Sequence, residues 1–107
     1  MSMGASGLRI HVATQTHTRL LGLLARPPLS RNEALALHPC GAIHTCFMRY
    51  AIDVVYLDAN DKVLRVVAAI RPWRLSACLG ARTTLELLAG EAARLGLHRG
   101  MQIAWRG

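Results

Sequence analysis

Residues 52–70 read IDVVYLDANDKVLRVVAAI, two apolar runs rich in β-branched side chains with the turn-forming ANDK between them. Valine, isoleucine and tyrosine suit a pleated surface, and the Asn60-Asp61 pair tolerates the backbone of a tight reversal. The pattern predicts an antiparallel hairpin with strands near 51–58 and 62–70, turning at Asn60-Asp61. Any fold for this chain must be built around that unit.

The other segments are shorter and are read against it. LRIHV (8–12) and EALALH (33–38) alternate apolar and polar positions as strands do, AIHTCFM (42–48) reads as a strand after the PCG turn, and MQIAW (101–105) as a closing one. In THTRLLGLLAR (16–26), Leu20, Leu23 and Leu24 recur at helical spacing behind threonine caps, and Pro27-Pro28 ends the run, so a helix is expected across 17–26. TTLELLA (83–89) fits either a strand or the start of a helix. GEAARLG (90–96) reads as a short helix between glycines, with Glu91 near its positive end. The expected class is α+β, a mostly antiparallel sheet with two short helices.

At 107 residues the chain makes one domain, with 1–7 as a disordered N-terminal tail and 8–107 as the folded part. Hydrophobic residues are 52% of the chain and charged ones 18%, a globular composition. No stretch approaches the roughly 20 apolar residues of a membrane span, and MSMGASG has neither the basic nor the apolar region of an export signal. Three cysteines, an odd number, do not make a disulfide framework, and a reducing, cytoplasmic setting is expected. The net charge of +7 rests on 12 arginines and one lysine against six acids. The arginines are scattered, and only RPWR (71–74) joins basic residues to an aromatic ring. This reads as a solubilising surface on a monomer, with nucleic acid a weaker partner class than a small polar ligand or a protein.

HPCGAIHTCFMRYAID (38–53) gathers two histidines, two cysteines and a methionine. On a strand over 42–48, His44, Cys46 and Met48 would share one face, with donors about 7 Å apart along the backbone, and Thr45, Phe47 and Arg49 the other. His38 or Cys40 could then swing in to complete a soft-metal site. The one-residue gaps do not match zinc spacing, however, and the plainer reading makes Cys46 and Met48 core fillers. A His44–Cys46 nucleophile pair would further need a depressed thiol pKa and a third group to orient the histidine.

Four segments, RLLGLLAR, CFMRYAIDVVYLDANDKVL, LELLAG and GLHRGMQI, stand in the order and spacing seen in the DUF192 (UPF0127) family, which the chain resembles over about residues 8–105. The resemblance implies a small α+β fold with a curled, barrel-like sheet and few helices. It implies no chemistry, because the family's function is uncharacterised. Many relatives look exported, with a leader or lipid anchor ahead of the domain. Matched by position, the family's regular residues correspond to Arg19, Gly22, Arg26, Met48, Asp53, Glu86 and Gly90. Cys46 does not belong to the family pattern.

Asp53 leads into a strand between apolar neighbours, where a carboxylate without a partner is costly. An arginine is the expected partner, since it can form two parallel hydrogen bonds, and Arg19, Arg26 and Arg49 are the candidates. Such a pair would be a structural tie or part of an anion pocket, and Glu86 shares the ambiguity. Trp73 would cover a pocket mouth or pack on the sheet. The favoured reading is a non-enzymatic module that binds a small polar ligand or a partner protein on the concave face of its sheet. His44, Met48, Arg49, Asp53, Trp73 and Glu86 are its candidate binding residues, with Arg19 and Arg26 as structural polar groups. No catalytic residue, metal or cofactor is expected. The alternative is a small metal-binding or thiol-dependent enzyme using His44, Cys46 and Met48.

Overall fold

The computed structural model describes residues 8–13, 31–46 and 48–104. The helix expected across 17–26, with Arg19, Gly22 and Arg26, lies outside the described residues, as does Phe47. In chain order the elements are β1 (Arg9–Ala13), β2 (Glu33–Leu37), β3 (Ala42–His44), β4 (Ile52–Leu57), β5 (Val63–Ile70), β6 (Leu75–Ala77), β7 (Thr83–Leu88) and α1 (Glu91–Arg94).

The hairpin forms where the sequence predicts it. β4 and β5 pair antiparallel, from Leu57 opposite Val63 to Ile52 opposite Ile70. Asp58 closes the turn: its Oδ1 accepts the backbone N–H groups of Asn60 at 2.8 Å and Lys62 at 3.0 Å, while Asp61 takes the left-handed φ of 63°. A short acceptor that bonds two residues onward is the usual reason for aspartate at such a turn.

β7 settles the ambiguity of TTLELLA in favour of a strand. It lies between β2 and β4, antiparallel to both, in a five-stranded sheet of order β1-β2-β7-β4-β5. β1 runs parallel to β2, so the sheet is mixed. Alternation along β4 then feeds two apolar layers. Val55 and Leu57 join Leu85, Leu87, Val63, Leu97 and Ile103 on one face, and Ile52, Val54 and Tyr56 join Met48 and Ile70 on the other. Covering both faces explains why every residue of β4 is buried. Each fully buried aliphatic side chain contributes about 1.5–3 kcal/mol relative to exposure.

Several expectations need correction. The sheet is not closed into a barrel: β1 and β5 stand at opposite ends of the strand order, and among the described residues neither pairs with the other. Of the two helices expected, that across 17–26 lies outside the described residues, and that after Gly90 is α1, four residues long. Residues 101–104 of MQIAW do not form a strand. They make one bridge, Lys62 to Gln102, and lie along the hairpin's end through Val63 N–H to Met101 C=O and Ile103 N–H to Asp61 C=O. AIHTCFM is a strand only as far as His44, where β3 pairs with β6 in a separate two-stranded sheet. Among the described residues no helix is long and apolar enough to cross a membrane.

Candidate functional site

Thr45 ends β3 and with it the arrangement expected of His44, Cys46 and Met48. Its hydroxyl donates to Arg71 C=O at 2.6 Å and accepts Arg74 N–H at 2.8 Å. Its C=O takes the N–H groups of Met48 and Trp73, and its N–H reaches Arg74 C=O. With those groups engaged in a turn, the ladder cannot continue. His44 is exposed, Cys46 is half-buried, and Met48 is 7% exposed inside the apolar layer beneath β4. The His44 ring Nδ1 accepts the Cys46 backbone N–H at 3.3 Å, with no part for the thiol. Cys40, Cys46 and Cys78 are free, and the Cys40 thiol donates to Ala42 C=O. Among the described residues no three histidine, cysteine or acidic side chains form a group suited to a metal.

Asp53 is 1% exposed, as its apolar neighbours require; of the arginines expected as its partner, Arg19 and Arg26 lie outside the described residues and Arg49 is exposed. Its Oδ1 accepts Ala69 N–H at 2.8 Å, and its Oδ2 accepts Gly90 N–H at 3.0 Å and Ala92 N–H at 2.9 Å. No cationic side chain among the described residues pairs with it. The β4–β5 register slips between Ile52 and Val54, so Ala68 and Ala69 together oppose Asp53 in a β-bulge, with Ala69 at φ 52°. Gly90, at the start of α1, has no side chain to cap that helix, and Asp53 caps it from another strand. Asp53 is therefore a structural clamp joining β4, the bulge of β5 and the entry to α1. Glu86 is buried in β7, opposite Leu35 on one side and Val54 on the other. Arg49 is exposed.

A cleft in the surface lies elsewhere. β5 and β6 follow one another through residues 71–74 yet do not pair, and a cleft of about 600 Å³ separates them. It is lined by β5 residues 65 and 67–70, by Arg71 and Arg74, and by β6 residues 75–77. Arg65, Arg71 and Arg74 are its charged lining residues, no acidic residue among the described ones lines it, and all three arginines are exposed. Among the described residues none of the three is in an ion pair. Thr45 holds the linker by its hydrogen bonds to residues 71–74. From below, the Tyr56 hydroxyl donates to Ser76 Oγ at 2.6 Å and ties the small sheet to the large one. Burial pushes the Tyr56 phenol above its ordinary pKa, so it stays protonated and able to donate at neutral pH. Trp73, in the linker, is 58% exposed at a left-handed φ of 64°.

Of the expected site residues that are described, Trp73 adjoins this cleft, in the linker between Arg71 and Arg74. RPWR, two arginines about an aromatic ring, was the available signal for Arg71 and Arg74. Nothing local marked Arg65, Ser76 or Thr45. The cleft offers cations, backbone groups and a committed hydroxyl, without a paired nucleophile and base. Such a surface suits the binding of an anion.

Comparison with known proteins gives a consistent result. The profile of the DUF192 family (Uncharacterized ACR, COG1430) matches residues 2–105. The UPF0127 protein PF1050 of Pyrococcus furiosus is 32% identical over 72 residues, which are 63% of this chain and 60% of that protein, so the chain spans less than two thirds of the relative's length. A protein of unknown function from Novosphingobium aromaticivorans superposes with a TM-score of 0.80 at 22% identity, over 92% of this chain and 75% of that one. A putative transcription regulator from Sinorhizobium meliloti does so with a TM-score of 0.80 at 16% identity, over 91% and 81%. At these identities the likeness to the two solved structures is one of fold.

Proposed function

This chain belongs to the DUF192 (UPF0127) family of uncharacterised proteins, and we propose that it is a non-enzymatic binding module taking an anionic partner into the β5–β6 cleft. The observation that carries this reading is the set of three exposed arginines, Arg65, Arg71 and Arg74, on one cleft without a lining acid. Like charges held close together raise the local potential, and an arriving anion relieves their repulsion. Trp73 beside the rim would add an apolar face to the contact. A cytoplasmic setting belongs to the same proposal, on the ground of the three free thiols.

The His44, Cys46 and Met48 alternative has no comparable support, since the three side chains lie in different environments. Titration with fluorescently labelled polyglutamate tests the proposal. Binding should weaken as salt rises and should drop at least tenfold, about 1.4 kcal/mol, in a variant carrying both Arg71→Glu and Arg74→Glu. Equal affinity of that variant and the parent would remove the cleft from consideration.

A further inference from the structure

We propose that the partner is an extended acidic polypeptide segment that enters the cleft as an added strand between β5 and β6; this deepens the binding reading above and rests on it. β5 is the last strand of its sheet. Its outer edge is engaged at Val63, whose N–H and C=O pair with Met101 and Gly100, and no described strand pairs with it beyond that point. β6 pairs with β3 alone among the described residues. Two strand edges with backbone pairing capacity therefore border one opening.

The lining supports an edge rather than a face. Side chains on one face of a strand recur at every second residue, yet all three residues of β6, 75–77, line the cleft consecutively. Exposed strand edges are ordinarily blunted or covered, because they pair with any extended chain that meets them. The bulge at Ala68-Ala69 does this at one end of β5, and Arg65 and Val67 line the cleft together with all three residues of β6. That is room for a short segment.

Chemistry selects its composition. Arg65 stands on one wall, Arg71 and Arg74 at the linker end, and Leu75 on the other wall with 83% of its surface exposed. An extended chain that alternates acidic and apolar side chains presents carboxylates and apolar groups at the two-residue repeat such walls require. Thr45 binds the backbone of the linker that joins β5 to β6.

The test uses the full chain and a peptide of about eight residues, the length of β5, alternating glutamate and valine, with both termini blocked. Three further probes are compared by fluorescence anisotropy: the same peptide with alternate backbone amides N-methylated, polyglutamate, and a single-stranded oligonucleotide of equal charge. Strand addition predicts that the parent peptide binds at least tenfold tighter than either the N-methylated peptide or the oligonucleotide, and that it slows amide hydrogen exchange at residues 65–67 and 75–77. Equal binding of parent and N-methylated peptides would overturn strand addition while leaving the anionic cleft standing. Failure of polyglutamate as well would bring down both. An oligonucleotide that binds as tightly as the peptide, or a dimer of this chain that the peptide dissociates without altering exchange at those residues, also rejects the proposal.

Discussion

Asp53 shows how a single buried carboxylate can organise three elements. Its oxygens satisfy the N–H groups of Ala69, Gly90 and Ala92, and removal of the carboxylate leaves those donors without an acceptor in a water-poor site. Asp53→Ala should destabilise the fold by about 2–4 kcal/mol, read as a lower urea midpoint. Asp53→Asn should restore little, because its amide nitrogen would face donors. A midpoint unchanged within error in both variants would mean that water replaces the clamp. Glu91 acts at the same scale. Its carboxylate takes Arg94 Nε at 2.6 Å, Arg94 Nη2 at 2.7 Å and the Asn32 backbone N–H at 2.8 Å. The bonds from the Arg94 guanidinium, the larger cause, and from Asn32 hold its pKa at about 2 against an ordinary 4.5. Because the folded value is the lower one, the ionised carboxylate's contribution is fully present above pH 4.5 and is lost as pH falls towards 2. Glu91→Gln should accordingly be less stable than the parent at neutral pH, with the difference shrinking across that window in acid-unfolding curves. A constant difference would refute the linkage.

Among the elements, the small β3–β6 sheet depends most on contacts made outside itself. Strands of three residues have little pairing of their own. They are held by Thr45 at the linker and by the Tyr56–Ser76 bond to the large sheet. Thr45→Val keeps the shape and removes the hydroxyl, which strands Arg71 C=O and Arg74 N–H. A loss of about 1–3 kcal/mol is expected, with faster hydrogen exchange confined to residues 71–77. Unchanged exchange there would show that the linker needs no anchor. α1 depends on its surroundings in a similar way. Four residues cannot sustain a helix alone, and the Asp53 clamp and the Glu91, Arg94 and Asn32 bonds hold it at the sheet's end. The β4–β5 hairpin differs, because its turn chemistry and its apolar runs are local, and it was legible from the sequence for that reason.

The molecule as a whole is organised around β7 and β4, each with a neighbour on both sides and with most or all of its residues buried. The slowest-exchanging amides should therefore lie in β4 and β7, with β1 and the β3–β6 sheet opening first. Slowest exchange in β1 would contradict that order. By itself the sequence determined the elements whose causes are local: the hairpin and its turn, the strands at 9–13 and 33–37, and the short helix after Gly90. It also determined that Asp53 must have partners, since apolar neighbours and a charged group cannot share a strand otherwise. Tertiary structure brought Asp53 the backbone N–H groups of a bulge and a helix entry, and no local pattern reveals which loop arrives. It likewise made TTLELLA a strand by placing it between two others, and it dispersed His44, Cys46 and Met48 when Thr45 found hydrogen-bond partners about 26 residues away. The cleft belongs wholly to that level. Arg65 meets Arg71 and Arg74 only because β5 and β6 diverge, a consequence of contacts between segments distant in sequence that no periodicity along the chain records.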